Sequence, residues 1–374
     1  MRHRVFGTLC PPDDAMPAEG GAAERPRLVH VIPAAHWRAP GSLASLAPSR
    51  IGLRSSGMRV RGALALLVAT LLAPHPAHAD EAFITSQPAE MLSIVDLDTR
   101  KVVATLPIPG KPAGIAVSPD GRRAFVTSPD GKALTIIDAT THTIERRVDV
   151  GGGPLGIAVH PDGATAYVAD WYQHRIVAVD AVSGAITGTV QVGDSPSGLA
   201  LTPDGSLLIS ADRDSDAISL IDPKTLARRA SIQVGKRPFG VTIDAHGKRA
   251  YTANVASNDV TIVDLAAARV VATVKVGQRP YAVALAKGRA FVTDQYDSTV
   301  SVFDVETLAP LATIPVGDYP EGIDASRDGA FVYVANWEAN TLSVIDTTTL
   351  KVVEDIPVAD GPRAFGVFVR RTAR

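Results

Sequence analysis

Seven copies of one small antiparallel sheet, joined into a closed ring, form the fold this sequence predicts. Three features point to it. An apolar-apolar-Asp element recurs at Ile94-Val95-Asp96, Ile136-Ile137-Asp138, Ala178-Val179-Asp180, Leu220-Ile221-Asp222, Ile262-Val263-Asp264, Val302-Phe303-Asp304 and Val344-Ile345-Asp346, with the aspartates 42 residues apart except for one interval of 40. A proline keeps the same spacing, at Pro112, Pro154, Pro196, Pro238, Pro280, Pro320 and Pro362. Between these markers run short β-branched segments bounded by Pro, Asp and Gly, with no sustained 3.6-residue stripe, so the chain reads as strands. Four strands per unit at this period define an all-β, seven-bladed β-propeller.

Each element of the unit has a physical reason. In residues 154–194, strand A is read at 156–159, B at 165–169, C at 176–179 and D at 186–192. The A–B turn carries Pro-Asp-Gly at 119–121, 161–163 and 203–205; Pro fixes φ and Gly supplies the positive φ that a tight turn needs. The interval of 40 arises in this turn, where Ala286-Lys287-Gly288 is shorter by two residues, a deletion that leaves the strands intact. The repeated strand-end aspartates are expected to accept backbone N–H bonds from the C–D turn, a structural rather than catalytic task. Residues 82–85 read as a B strand, 92–108 as C and D, and 364–369 as an A strand. One C-terminal strand joining three N-terminal strands would complete the seventh blade and remove an open edge.

The propeller is expected to occupy residues 80–374. Residues 58–79 have the three parts of a secretory signal peptide: Met58-Arg59-Val60-Arg61, an apolar run over 62–73, and Ala77-His78-Ala79. The run is shorter than the roughly 20 residues a membrane span needs. Residues 1–57 show no apolar periodicity and are expected to be a non-native or disordered extension, with translation starting at Met58. The protein is therefore expected in the periplasm or secreted. Its single cysteine, Cys10, falls in the extension, so the mature chain offers no disulfide, no CxxCH haem attachment and no cysteine zinc site. Residues 1–79 hold nine Arg and four acids, leaving 28 bases against 35 acids, a mildly acidic chain with no polyanion signature. At 46% apolar and 20% charged, the sequence is that of a globular protein.

Tyr167-Val168-Ala169-Asp170, Tyr251-Thr252-Ala253-Asn254, Phe291-Val292-Thr293-Asp294 and Tyr333-Val334-Ala335-Asn336 are variants of one tetrapeptide, with Phe125-Val126-Thr127-Ser128 and Phe83-Ile84-Thr85-Ser86 further from it. In these the chain resembles the YVTN-repeat family of bacterial and archaeal propellers, over essentially all of 80–374. The resemblance implies fold and export. Family members include surface-layer and periplasmic proteins, nucleic-acid binders, relatives of the haem domain of periplasmic nitrite reductase, and propellers that accompany quinone-cofactor alcohol oxidation, so no single activity is implied.

Strand direction alternates, so the D–A and B–C connections share one face. Its B–C loops are long and dissimilar, and variable loops on a rigid scaffold are where function concentrates. Trp171, His174, Asp294, Tyr296 and Trp337 lie on or beside these loops. The residue after each repeated Pro is expected near the central tunnel mouth: Ala113, Leu155, Ser197, Phe239, Tyr281, Glu321 and Arg363, with Arg237, Arg279 and Tyr319 just before three of the prolines. The asymmetry of this ring, with the loops beside it, marks Trp171, His174, Arg237, Phe239, Arg279, Tyr281, Asp294, Tyr296, Tyr319, Glu321, Trp337 and Arg363 as a ligand or partner patch. Truncating Tyr281 and Arg363 would then abolish capture and leave stability near normal.

Other motifs fail on context. Gly151-Gly152-Gly153-Pro154-Leu155-Gly156 matches GxGxxG but opens no helix. Asp212, Asp214 and Asp216 resemble a calcium loop, yet Ala217 replaces its Gly and Pro223 its bidentate acid. His142, His160, His174 and His246 are scattered, and no Ser has a nucleophile elbow, so neither metal, cofactor nor catalytic residue is assigned. The function expected is a non-catalytic, monomeric binding protein for a small ligand or periplasmic protein, accessory to an oxidation or transport pathway. Two alternatives stand beside it. One is a lactonase- or lyase-like enzyme using Glu321 or Asp294 with Arg363 and His174; the other is a single-stranded nucleic-acid binder stacking bases on Trp171, Trp337, Tyr281 and Phe239.

Overall fold

The computed structural model describes residues 80–371. The expected extension (1–57), the signal segment (58–79) and Cys10 lie outside them. Seven sheets follow one another along the chain, six antiparallel sheets of four strands and one of five that includes a parallel strand. In blade 2 the strands are Pro154–Val159, Thr165–Asp170, Arg175–Asp180 and Ile186–Gln191, bonded in that order, within two residues of the bounds read from the sequence. Blades 1 to 6 span residues 114–149, 154–191, 196–233, 238–275, 280–315 and 320–357, and residues 81–107 supply three strands of blade 7. Among the described residues the one helical element is a 3₁₀ turn, Arg213–Ser215, and no helix is long and apolar enough to cross a membrane.

The core lies between blades. Ala116, Phe125 and Ile136 of blade 1 pack with Ile157, Val168 and Val177 of blade 2, and burying one such Phe side chain contributes about 2–3 kcal/mol. The strand-end aspartates do what their repetition predicts. Asp138 Oδ1 accepts the N–H groups of Thr140 and Thr141, both at 2.8 Å, and Asp180, Asp222, Asp304 and Asp346 hold their own turns likewise. These backbone donors pull the five carboxyls below their ordinary range.

The repeated Pro stands at a bulge at the head of the inner strand, followed two residues later by Gly or, as Ala282 and Ala364, by Ala. Pro196 pairs with Asp212, and the next pair is Leu199 with Ser210, so strand A carries one extra residue. Blades 2, 4, 5 and 6 repeat the irregularity. Pro suits such a position because it has no N–H to leave unpaired. A bulge also re-aims side chains: all seven residues after the prolines are buried, and Ala113, Leu155, Phe239 and Tyr281, from four blades, share one cluster. Only the ring axis lets those blades meet. The glycine that follows permits the approach, since a Cβ on Gly198 would lie 2.6 Å from the carbonyl oxygen of Phe239 in the next blade. Gly198→Ala is expected to lower the unfolding free energy by about 1–3 kcal/mol in urea titrations; an unchanged midpoint would show that the blades yield.

The closing strand is split. Phe365–Val367 pairs in parallel with Gly114–Val117 of blade 1, and Val369–Arg370 pairs antiparallel with Glu81–Ser86 of blade 7. At the break Phe368 is fully buried, and its carbonyl accepts the Phe83 N–H at 2.9 Å. Asp324 clasps the break: Oδ2 accepts the N–H groups of Phe368 and Val369 at 3.0 and 2.9 Å, and Oδ1 accepts Arg371 Nη2 at 2.9 Å. Burial raises the Asp324 carboxyl, and Arg371 opposes the rise. The other inner strands carry Ala116, Ala158, Ala200, Thr242 and Ala284 at this register.

Candidate binding site

On the B–C face three blades contribute one buried polar neck. Arg363 Nε lies 2.9 Å from Glu321 Oε2. The same guanidinium donates from Nε and Nη2 to the Tyr281 hydroxyl at 3.0 and 2.7 Å, and from Nη1 to Gln87 Oε1 at 3.0 Å. Gln295 Nε2 donates to Glu321 Oε1 at 2.9 Å, and Arg279 Nε donates to Gln295 Oε1 at 2.9 Å. Burial raises the Glu321 carboxyl, opposed first by Arg363 and then by Arg279. The Trp337 ring covers the Arg363 guanidinium at 5.5 Å.

Beside the neck, aromatic rings close the axis. Phe239 sits 4.4 Å from Tyr281, 4.9 Å from Phe365 and 6.3 Å from Trp171, centroid to centroid. Such pairs contribute about 0.5–1.5 kcal/mol each beyond the area they bury. This corrects one expectation. Phe239, Tyr281, Glu321 and Arg363 come together, but they plug the tunnel rather than line an exposed mouth, because the bulge turns them onto the axis. Tyr281 and Arg363 cannot be truncated without cost to the fold.

The remaining predicted residues separate into two groups. Asp294 is fully buried at the end of strand B, the register also held by Asp170, Asp212, Asn254 and Asn336. Its Oδ2 accepts Ser301 Oγ at 2.7 Å and Thr299 Oγ1 at 3.3 Å, and burial raises its carboxyl to about 6. It serves its blade. His174 of blade 2 accepts the Ser195 N–H on Nδ1 at 3.0 Å and lies 3.6 Å from Asp194, whereas Glu321 and Arg363 pair with each other. Arg237 donates its N–H to Asp216 Oδ1 at 2.8 Å, and its Nε lies 4.0 Å from Asp214 Oδ1. Lys236 Nζ is 2.7 Å from Asp216 Oδ2 as well, and among the described residues no cluster of metal-ligating side chains is found.

The second group forms the outer rim. Arg213 lies over Trp171 at 5.6 Å and Arg279 over Tyr296 at 5.1 Å, while Tyr296 and Tyr319 stand 6.0 Å apart. Tyr172 and Tyr296 remain 61% and 58% exposed. Sequence reasoning missed Gln87, Gln295 and Phe365. The first two stand at the register of Trp171 and Trp337, immediately after strand B, which was a usable signal. Phe365 is the aromatic member of a register otherwise filled by Ile115, Ile157, Leu199, Val241, Val283 and Ile323.

On the far side of the plug the axis is hollow. A cavity of about 530 Å³ runs from Gly156, Gly198 and Gly240 to the A–B turn residues Pro119, Pro203 and Arg327. It faces the short repetitive turns between strands A and B.

Ring, blade number and closure define a seven-bladed β-propeller, and the match of residues 77–165 and 283–373 to the family described as YNCE-like beta-propeller agrees with them. The chain therefore folds as a seven-bladed β-propeller and is similar, over those two stretches, to the YNCE-like propellers. No curated protein matches it. Among solved structures it is similar to the hydrazine synthase of Kuenenia stuttgartiensis, with TM-score 0.63 and 22% identity, over 68% of this chain and 89% of that one. A functionally unknown protein from Desulfotomaculum acetoxidans gives TM-score 0.69 and 17% identity, over 78% and 99%. The dihydro-heme d1 dehydrogenase NirN in complex with DHE gives 0.59 and 18%, over 77% and 74%. At these identities the likeness is one of fold.

Proposed function

We propose that the protein is an exported, non-catalytic binding module that docks a protein partner on its B–C rim. The observation that carries this reading is the rim itself: exposed Tyr172 and Tyr296, with half-buried Trp171 and Trp337 fixed by guanidinium stacking above a rigid buried neck. Tyr, Trp and Arg dominate the energetics of protein interfaces, and anchoring them in advance cuts the ordering cost of association. The burial of Glu321 and Asp294 supports binding over acid-base chemistry, since neither carboxyl is exposed to a substrate.

A photo-crosslinking residue in place of Tyr296 is expected to give a discrete protein adduct in cells, while one in place of exposed Val103 on an outer strand gives none. Adding Tyr172→Ala should weaken the adduct without changing the unfolding free energy by more than about 0.5 kcal/mol. Equal labelling from both positions would refute the rim. Export predicts that the mature chain begins at Asp80, which N-terminal sequencing reads directly.

A further inference from the structure

We propose that the axial cavity is a second binding site, on the face opposite the rim, for a free single-chain anionic amphiphile. Its alkyl tail enters the channel and its acidic head stays at the A–B turns. Three features of the cavity carry this.

The first is an aliphatic collar. One register of the inner strands reads Val117, Val159, Leu201, Ile243, Leu285, Ala325 and Val367 around the ring. Val159, Leu201, Ile243 and Leu285 pack only partly into the cores between blades, and Val367 is 48% exposed although it lies on the innermost strand. An apolar ring left partly open at the mouth of an enclosed space gains from a hydrocarbon guest.

The second is the state of the polar side chains in the wall. Thr242 Oγ1 donates to the Val283 carbonyl at 2.6 Å. Asp324 is saturated by Phe368, Val369 and Arg371. Asp244 accepts the N–H groups of His246 and Lys248 on one oxygen and of Arg249 on the other. Both acids of the lining are therefore committed to the protein.

The third is the cations. Arg327 and Arg371 line the same sector of the rim. Arg371 spends Nη2 on Asp324 and the Ala325 carbonyl, and its side chain stays 39% exposed. Arg327 spends Nη2 on the Arg371 carbonyl. With carboxylates satisfied and guanidinium donors to spare, the rim favours an anionic head. The volume of about 530 Å³ is that of a small-molecule site.

Titration calorimetry of the full-length protein with octanoate, decanoate and dodecanoate tests this below their micelle concentrations. Each added CH₂ is expected to tighten Kd about fourfold, and dodecyltrimethylammonium is expected to bind at least tenfold more weakly than dodecanoate. Val367→Glu, at an exposed position, should abolish dodecanoate binding, and Leu201→Asn should weaken it, each checked for folding by thermal unfolding. Arg327→Ala should erase the preference for the anion. Tyr172→Ala with Tyr296→Ala should change none of these values, which separates this site from the rim. Absence of chain-length dependence, equal binding of the cationic chain, or unaltered binding by a folded Val367→Glu protein would overturn the proposal. Sedimentation with phosphatidylglycerol vesicles would also overturn it, by making a membrane the source of the anion.

Discussion

Arg363→Ala is expected to lower the free energy of unfolding by about 3–5 kcal/mol, because it leaves the Glu321 carboxylate buried without its cation. Both side chains are almost wholly sequestered, at 5% and 4% exposure, so solvent screening takes little from the effect. The truncation also strips one donor from Gln87 and two from the Tyr281 hydroxyl. Replacing the pair together, as Arg363→Met with Glu321→Leu, should recover most of the loss, since a buried ion pair is worth little more than well-packed apolar groups. Urea unfolding at neutral pH of Arg363→Met, Glu321→Leu and the double variant closes the cycle. A loss below about 1 kcal/mol in Arg363→Ala would mean that water reaches the neck.

Asp294→Asn should do the opposite and stabilise. Asn254 and Asn336 occupy the same register, and their amides donate to the residues five and seven positions later: Asp259 and Thr261, and Thr341 and Ser343. Asp294 faces Thr299 and Ser301 at those offsets, accepts only two hydroxyl bonds, and leaves Oδ1 without a hydrogen bond. Its carboxyl is raised by burial from 3.8 to about 6. A raised carboxyl pKa means that the folded state holds its proton more tightly than the unfolded chain. The wild-type contribution is therefore fully present below about pH 4 and is lost as pH climbs through about 6. Asparagine stays neutral throughout, so the variant should match wild type near pH 4 and exceed it by about 2–3 kcal/mol above pH 7. An advantage of the same size at both pH values would show that the carboxyl is not the cause.

Repeat length, strand bounds and ring closure were legible in the sequence because each blade restates the same local chemistry. Asp180 and Asp346 announce their turns from residues only two or three positions away. The site was legible in part. Its residues were found as breaks in a repeated register, and the structure does unite Tyr281, Glu321 and Arg363. Their burial was not legible, because it follows from a bulge that redirects one side chain per blade and from partners that are remote in the chain. Arg363 meets Tyr281 across 82 residues and Gln87 across 276. Asp324 escaped notice for a related reason: its partners at Phe368 and Val369 exist only once the ring is complete. The axial cavity had no sequence marker, since it is made from the blades' most uniform positions.

The divided last strand has a bearing on how the molecule is made. Blade 1 receives Phe365–Val367 and blade 7 receives Val369–Arg370, so both sheets wait for residues that follow blade 6 in the chain. Until those residues are made, the inner edges of blade 1 and of Glu81–Ser86 are both unclaimed. The native circle is then sealed in a single late event, from which a stalled or shortened chain is shut out.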